Sequence, residues 1–200
     1  MKDLIQTVLD AYREGVFPMA ESADDDAVAF YKPYMRGLIP IEGLHIPAKL
    51  LKEIRLGTYT VTINRAFEDV IDGCARETEK RASTWINRPI RELFIALHKA
   101  GHAHSVECWT KDGRLAGGLY GLAIGKVFCG ESMFSTERNA SKVALVHLCA
   151  LLWKRGFTVL DTQFINPHLL QFGAYEMRQE EYEALIATEM AAAARFVNPD

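Results

Sequence analysis

Helices are predicted in six segments of this chain, mainly where apolar residues recur at helical spacing. Residues 1–14 show this pattern clearly, and Gly15 then supplies a residue at which a helix ends readily. The second helix is predicted to follow Pro47, and Asn64 is predicted to cap the third. The fourth should begin near Pro89, and Asn139 should cap a fifth that runs to about Arg155. The last should run from about Gln179 through Ala194.

Strands are predicted where apolar and polar residues alternate, or where a short apolar run is bounded by turn residues. The segment 17–40 contains three prolines and is expected to be loop with short extended pieces. Lys111, Asp112 and Gly113 are typical of a hairpin turn between two strands. The predicted strands cover residues 59–63, 104–110, 114–124, 126–134 and 157–163.

This order of elements predicts an α+β fold with a mostly antiparallel sheet. Three consecutive strands over residues 104–134 form a meander, which is followed by a long helix and one further strand. The acetyl-CoA-dependent N-acetyltransferases are built in this way, so an acetyltransferase-like (GNAT-like) fold is expected as an analogy of fold alone. A length of 200 residues suits one large domain or a main domain with a small appendage.

The composition limits where this chain works and how it binds a polyanion. Its formal net charge is -3, so nucleic acid would have to bind at a local basic patch and not through a global field. No apolar run approaches the ~18 residues of a membrane span, and the N-terminus lacks the apolar region of a signal peptide. Four widely spaced cysteines without a C-x-x-C pair are expected to be buried free thiols. We therefore expect a cytoplasmic protein.

Polar residues near the ends of two apolar strands are candidates for chemistry. Glu131 lies among apolar residues and needs a partner, because an unpaired buried charge is costly. It is interpreted either as part of a structural ion pair or as a carboxylate that binds an ammonium group. Asp161 and Gln163 end the strand 157–163, where alternation would place them on one face. They either orient an amine or satisfy loop backbone, and the pattern leaves both alternatives open.

Histidines and basic residues elsewhere give weaker indications. His98, His102 and His104 span a helix end and a strand start without a recognisable zinc pattern, so no metal is expected. Trp85 could offer a stacking surface for an unpaired base. Nine basic residues interleaved with acids either form ordinary solvated faces or hold a phosphate backbone. They are Lys49, Lys52, Arg55, Arg65, Arg76, Lys80, Arg81, Arg88 and Arg91.

Eight ordered segments of the chain can be compared with a known protein family. They are YREGVFP (12–18), RGLIP (36–40), TWI (84–86), GHAHSVECW (101–109), GGLYG (117–121), FCGESMFS (128–135), NASKVAL (139–145) and DTQFINPHLLQFGAYE (161–176). Together they resemble the leucyl/phenylalanyl-tRNA–protein transferase family. The resemblance covers most of the chain and is strongest from Gly101 onward. Eight matches in order are far more specific than any single motif.

The resemblance implies a two-domain enzyme that uses aminoacyl-tRNA. Residues 1–40 would form a small N-terminal domain and residues 41–200 an acetyltransferase-like catalytic domain. Such an enzyme moves Leu or Phe, and also Met, from aminoacyl-tRNA to the N-terminal amine of proteins that begin with Arg or Lys, which marks them for degradation. No cofactor and no covalent enzyme intermediate are implied, because the donor ester is already activated. We expect a monomer that contacts the acceptor end of the tRNA and no membrane.

The resemblance also assigns roles to individual residues. Glu131 would hold the α-ammonium group of the donor amino acid. Asp161 and Gln163 would orient and help deprotonate the attacking amine, and Asn166 would line the acceptor site. The pocket for the donor side chain would be formed by Leu119, Phe128, Met133, Leu145, Leu148, Leu152 and Leu160.

The residues expected to recognise the terminal adenine depart from the pattern of the family. Met19 stands where the family usually has a stacking Trp, and Phe94 replaces a Tyr, although Tyr12 and Trp85 are retained.

Two other functions are alternatives to transfer from tRNA. An acyl-CoA-dependent N-acyltransferase would need a glycine-rich turn for the pyrophosphate, whereas residues 135–139 contain no glycine. A non-catalytic RNA- or peptide-binding module would not need the three polar residues assigned to catalysis.

Overall fold

The computed structural model describes residues 2–78 and 83–197, which form seven helices and nine strands. The helices are α1 (Lys2–Arg13), α2 (Ala48–Arg55), α3 (Phe67–Ala75), α4 (Arg88–Lys99), α5 (Ala140–Lys154), α6 (Pro167–Leu170) and α7 (Gln179–Glu189). The strands are β1 (Phe17–Met19), β2 (Ala29–Tyr31), β3 (Met35–Ile39), β4 (Thr60–Ile63), β5 (Ala103–Trp109), β6 (Leu115–Ile124), β7 (Val127–Ser135), β8 (Val159–Gln163) and β9 (Tyr175–Arg178).

Seven of the described strands form one sheet in the order β4-β5-β6-β7-β8-β3-β9, and β1 pairs with β2 in a separate hairpin. Strands β7 and β8 are parallel, as the crossover through α5 requires, and the other five neighbouring pairs are antiparallel. The large sheet is therefore mixed. Strand β3 comes from the N-terminal part of the chain and lies between β8 and β9, next to the candidate site.

Helices cover both faces of this sheet and bury an apolar core on each. Apolar residues of α1, α3, α4 and α7 pack on one face, and those of α2 and α5 pack on the other. Neighbouring residues of β6 show the division, because Tyr120 belongs to the first core and Leu119 to the second. Strands β5 and β6 are buried along almost their whole length, which explains why their sequences are nearly continuously apolar.

The six predicted helices and five predicted strands are all present, with small shifts at their ends. The short elements α6 and β9 were not predicted. The prediction that the last helix runs through Ala194 is wrong, because this helix ends at Glu189. Its terminal carbonyl accepts a hydrogen bond from the Lys126 backbone N–H at 2.9 Å, which ties the helix end to the β6–β7 turn. A tertiary contact here overrides the helix propensity of the alanines.

Two predicted helix caps are also wrong. Asn64 and Asn139 both have left-handed backbone conformations, with φ of 58° and 60°, and neither side chain caps a helix. The side-chain Oδ1 of Asn64 accepts from the Ser105 backbone N–H at 3.1 Å, and the side-chain Nδ2 of Asn139 donates to Glu53 at 2.7 Å. Both side chains are therefore hydrogen bonded to residues of distant elements and not to the backbone N–H groups at the start of a helix.

The cysteines and histidines have structural surroundings. All four cysteines are buried and outside any disulfide, as predicted. His98 stacks on Phe67 and contacts the Ala103 carbonyl through Nδ1, while His104 stacks on Phe196. Among residues 2–78 and 83–197, no group of three metal-binding side chains comes together. No described helix is both long and apolar enough to span a membrane.

Candidate active site

Two bulges in neighbouring strands shape the candidate site. The register between β6 and β7 shifts beside Glu131, which becomes the extra residue in β7. The register between β3 and β8 shifts beside Thr162, which lies between Asp161 and Gln163. Bulges re-aim side chains and are common next to active sites. Simple alternation of faces therefore does not hold where the candidate residues lie.

Glu131 is held from two sides. The Tyr12 hydroxyl donates to its Oε1 at 2.8 Å, and Nε2 of Gln163 donates to the same oxygen at 3.1 Å. Within the described part of the chain, Oε2 accepts no hydrogen bond. Burial raises the pKa of Glu131 from its ordinary value of 4.5 to about 8, although both hydrogen bonds lower it. A cation placed at Oε2 would compensate for this lost hydration.

An apolar cavity of about 270 Å³ opens beside Glu131. Asn166, Thr162 and Phe164 also line it, and Phe164 is about half exposed. Five of the seven predicted pocket residues line this cavity, namely Leu119, Met133, Leu145, Leu148 and Leu160.

The other two predicted pocket residues lie behind the cavity wall. Phe128 and Leu152 are fully buried in the same core and are not among the lining residues. Leu152 is one helical turn beyond Leu148 on α5, which carries it past the cavity. Phe128 stacks on Phe196, with ring centroids 5.1 Å apart. Phe128 and Leu152 therefore pack in the core behind the residues that line the cavity.

Gln163 follows the bulge of β8 in a strained backbone conformation. Its φ of 55° lies in the left-handed region, which costs a residue other than glycine ~1–3 kcal/mol and persists only where the surroundings impose it. The Gln163 backbone N–H donates to Asp161 Oδ1 at 2.8 Å. Because its side-chain Nε2 donates to Glu131, the amide Oε1 points away from that carboxylate and is left as an acceptor.

Asp161 is fully buried, and its carboxylate is already occupied by four donors. Arg36 donates from Nε to Oδ1 at 2.9 Å and from Nη2 to Oδ2 at 2.6 Å. The Tyr182 hydroxyl donates to Oδ2 at 2.8 Å, and the fourth donor is the Gln163 N–H. A carboxylate offers about four acceptor positions. Asp161 therefore supports Gln163 but has no free position for a substrate amine.

The residues expected at the terminal adenine do not all reach the cavity. Tyr12 touches the site through Glu131. Met19 and Trp85 are partly buried against the core and are not lining residues. They lie close together, because the N–H of Ala20 donates to the Trp85 carbonyl at 3.3 Å. Phe94 is buried edge-on against an aromatic ring of β6, 5.2 Å away.

Asn166 reaches the cavity from the start of α6. Its side-chain oxygen accepts from the Leu169 backbone N–H at 3.1 Å, so the residue also caps this short helix. The amide nitrogen is left to face solvent or a ligand at the cavity mouth. Asn166 is therefore placed where it could line the acceptor site, and it also caps α6.

Two supporting residues, Arg36 and Tyr182, were missed by sequence reasoning. A signal for Arg36 was present, since it is the one charged residue of the segment MRGLI, which forms a mostly buried strand. A charge in such a strand needs a buried partner. Tyr182 has no comparable signal, because an aromatic residue on a helix is ordinary core.

The predicted basic face is partly neutralised by acids. Arg88 pairs with Asp26 at 3.2 Å, and Arg91 pairs with Asp72. Lys80 and Arg81 lie outside the described residues. A phosphate-binding role for the remaining basic residues stays a prediction.

Comparison with known proteins finds relatives across nearly the whole chain. Residues 38–187 match the family model described as leucyl/phenylalanyl-tRNA protein transferase, and residues 4–33 match the model of its N-terminal domain. The structure of L-PGS from Bacillus licheniformis is similar with a TM-score of 0.49 and 11% identity, over 94% of this chain and 77% of that one.

Two bacterial relatives with the same description are similar at the level of sequence. The leucyl/phenylalanyl-tRNA–protein transferase of Rhodopseudomonas palustris (strain TIE-1) is 52% identical over 189 residues, which cover 94% of this chain and 84% of that protein. The one from Nitrobacter winogradskyi is 50% identical over 96% of this chain and 84% of that protein. This chain therefore belongs to the leucyl/phenylalanyl-tRNA–protein transferase family.

Proposed function

We propose that this chain transfers leucine or phenylalanine, and also methionine, from aminoacyl-tRNA to the N-terminal amine of proteins that begin with Arg or Lys. One observation carries the proposal: Glu131 lines a cavity that also has apolar walls, and it is hydrogen bonded to Gln163. A donor amino acid needs an apolar site for its side chain and an acidic site for its ammonium group. The attacking amine needs an acceptor atom beside the ester carbonyl. The cavity supplies the first two features, and Gln163, which is not a lining residue but is hydrogen bonded to Glu131, supplies the third.

The donor side chain is proposed to occupy the space between α5 and β7. Leu145 and Leu148 of α5 and Met133 of β7 contribute apolar walls, and Glu131 is the charged residue among those that line the cavity. One methylene changes binding in such a pocket by only ~1–3 kcal/mol. Leu, Phe and Met should therefore be accepted together, while a charged side chain should be rejected.

The donor ammonium group is proposed to bind Oε2 of Glu131. Without a cation nearby, this carboxyl is mostly protonated at neutral pH, because burial raises its pKa to about 8. An ammonium group at hydrogen-bond distance favours the ionised form. Donor binding should therefore release the proton of Glu131. Tyr12 and Gln163 keep Oε1 occupied and so direct the donor to the other oxygen.

Gln163 is proposed to orient the attacking amine by accepting one of its hydrogens at Oε1. The amine nitrogen attacks the ester carbonyl carbon, a C–N bond forms, and the bond to the ribose oxygen of the tRNA breaks. An amide is a weak base, so the amine proton is proposed to pass to the departing ribose oxygen. Placing two reactants in the right geometry contributes ~7–11 kcal/mol. Such a reaction requires no covalent enzyme intermediate and no cofactor.

The wider setting of this activity is proposed on the same basis. Residues 1–40 and 41–200 would form two domains, the second with an acetyltransferase-like fold. Met19 and Trp85 would lie along the path of the terminal adenine, and Asn166 would face the acceptor. The protein would act as a monomer in the cytoplasm, and its products would be degraded.

The proposal is tested by incubating the protein with tRNA charged with radiolabelled leucine and a peptide that begins with Arg. Label is expected at the N-terminus of the peptide. The same peptide with an acetylated N-terminus should stay unlabelled, because it has no attacking amine. A peptide that begins with Asp tests the preference for Arg or Lys.

The acyl-CoA alternative is tested in the same format with radiolabelled acetyl-CoA as the donor. No label from this donor is expected. Transfer from acetyl-CoA, or no transfer from Leu-tRNA to the free peptide, would contradict the proposal.

A further inference from the structure

A buried cation lies beneath the candidate site and connects its parts. Arg36 of β3 is fully buried. Its guanidinium donates to both oxygens of Asp161, at 2.9 and 2.6 Å, and from Nη1 to the Gly15 carbonyl at 2.9 Å. The rings of Phe17 and Tyr182 lie against the guanidinium, with centroids 4.9 and 4.4 Å from Cζ. Three hydrogen bonds and two ring contacts therefore hold this side chain in place.

Core stability alone explains such an arrangement poorly. Removing two charges from water is costly, and well-packed apolar residues of the same volume often stabilise a core equally well or better. A bidentate ion pair does, however, fix the position and orientation of both partners. The parts of the site that depend on this fixed geometry can be traced from the guanidinium outward.

One line of contacts runs from Arg36 to Gln163. Arg36 and the Tyr182 hydroxyl together orient the Asp161 carboxylate. The oriented Oδ1 then receives the backbone N–H of Gln163 at 2.8 Å. This N–H belongs to the residue with a φ of 55°, which its surroundings must hold in place. A carboxylate free to turn would let Gln163 relax and draw its amide away from Glu131.

A second line of contacts runs from Arg36 to Tyr12. The Gly15 carbonyl, just after α1, accepts from Arg36 and also from Nε2 of Gln179 at 3.1 Å. Tyr12 lies three residues before Gly15 and donates its hydroxyl to Glu131 at 2.8 Å. Both donors to Oε1 of Glu131 are therefore linked to the same guanidinium, Gln163 through Asp161 and Tyr12 through the end of α1 at Gly15.

We propose that Arg36 is a positioning residue for aminoacyl transfer, because it holds Gln163 and Tyr12 against Glu131 and so sets where the amine and the ester meet. The proposal rests on the proposed function and adds a residue to it. Arg36 touches neither substrate. Its loss should lower turnover of correctly folded protein and leave the apolar donor pocket intact.

Two variants of different severity test this role. Arg36→Lys keeps a buried cation but cannot donate to both oxygens of Asp161 and to a carbonyl in the same geometry. Tyr182→Phe removes one donor to Asp161 and leaves the ion pair intact, so it is expected to fold. The matched controls are Arg114→Lys, which alters a surface ion pair with Asp112, and Tyr59→Phe, which removes a hydroxyl that donates to a backbone carbonyl elsewhere.

The measurements are kcat, KM for the aminoacyl-tRNA, and the thermal midpoint of each variant. A hydrogen bond to a charged group contributes enough to predict a fall in kcat of about tenfold for Tyr182→Phe and about ten- to a hundredfold for Arg36→Lys. KM for the donor should stay within about threefold of wild type, because the pocket is untouched. Both controls should keep the wild-type kcat. Unchanged kcat in Tyr182→Phe, or a loss of activity fully explained by unfolded protein, would overturn the proposal.

A structural readout separates this proposal from the proposed function. Crystal structures of Tyr182→Phe and Arg36→Lys should show Gln163 with a changed φ and a longer distance from Nε2 to Glu131. Retention of a φ near 55° and of the 3.1 Å hydrogen bond in both variants would refute the positioning role, whatever reaction the protein catalyses. The transfer activity of the wild-type protein, measured beside these variants, tests the proposed function and does not test the positioning role.

Discussion

Replacing Glu131 by glutamine should stabilise the fold and weaken donor binding at the same time. The carboxyl group lies where burial disfavours its charge, so its functional form is the less stable one in the free protein. Glutamine keeps a side-chain oxygen that can accept from Tyr12 and Gln163, but it never ionises. The substitution therefore measures how much unfolding free energy the protein loses by carrying an ionised carboxylate at position 131.

The sign and size of the effect follow from the raised pKa. The Glu131 carboxyl ionises near its ordinary pKa of 4.5 in the unfolded chain and near 8 in the folded one. Between these values the folded protein binds one more proton, so its stability falls as the pH rises and then levels off above about pH 8. At ~1.4 kcal/mol for each unit of pKa difference, the penalty at pH 9 is at most ~5 kcal/mol. Partial exposure to the cavity screens the charge, so we expect ~1–3 kcal/mol.

Urea denaturation of wild type and Glu131→Gln at pH 5 and pH 9 measures this penalty. The variant should gain ~1–3 kcal/mol of unfolding free energy relative to wild type at pH 9 and much less at pH 5. Glu107→Gln is a matched control, because Glu107 is another buried carboxyl, bonded to Ser105 and Thr62 outside the site. That control should lose stability at both pH values. Equal or lower stability of Glu131→Gln at pH 9 would refute the reasoning.

Further predictions concern the acceptor side, the pocket and the tRNA. Gln163→Ala should lower the single-turnover rate of transfer about a hundredfold while filter binding shows unchanged affinity for aminoacyl-tRNA; a near-normal rate would remove its assigned role. Leu148→Phe should fill part of the cavity and lower kcat/KM for Phe-tRNA about tenfold more than for Leu-tRNA, and an unchanged ratio would contradict the pocket. Phe128→Ala should lower the unfolding free energy by ~3–5 kcal/mol in urea denaturation, because Phe128 is fully buried. Its ratio of Leu to Phe transfer should not change. Raising the salt concentration from about 50 to about 200 mM should weaken tRNA binding at least tenfold, and a flat response would argue against a basic binding face.

Most elements of this fold could be predicted from periodicity, because their buried faces follow a single pattern. The errors have one physical cause, which is competition from distant residues. Asn64 and Asn139 are ordinary capping residues by type, yet their side chains bind Ser105 and Glu53. The last helix stops where its terminal carbonyl meets Lys126. No local window of sequence contains these partners.

The candidate site could be predicted only in part. The polar pattern singled out Glu131 and Gln163, the resemblance assigned their roles, and the structure brings their side chains to 3.1 Å. Alternation suggested that Asp161 and Gln163 share a face, but a bulge depends on the register of the neighbouring strand and was not visible in the sequence. Arg36 lies 125 residues before Asp161, so no local pattern links them. The supporting residues emerge only when the sheet places β3 beside β8.

The central claim is that the carboxylate at the end of the apolar cavity binds the donor ammonium group. It is tested most directly by the affinities of two stable amide-linked analogues of phenylalanyl-adenosine, one with and one without the α-amine, for wild type and Glu131→Gln. Loss of the amine should weaken binding to wild type at least about tenfold and should matter little to the variant, as a coupled pair requires. An equal loss of affinity in both proteins would show that the amine is bound elsewhere and would contradict this account.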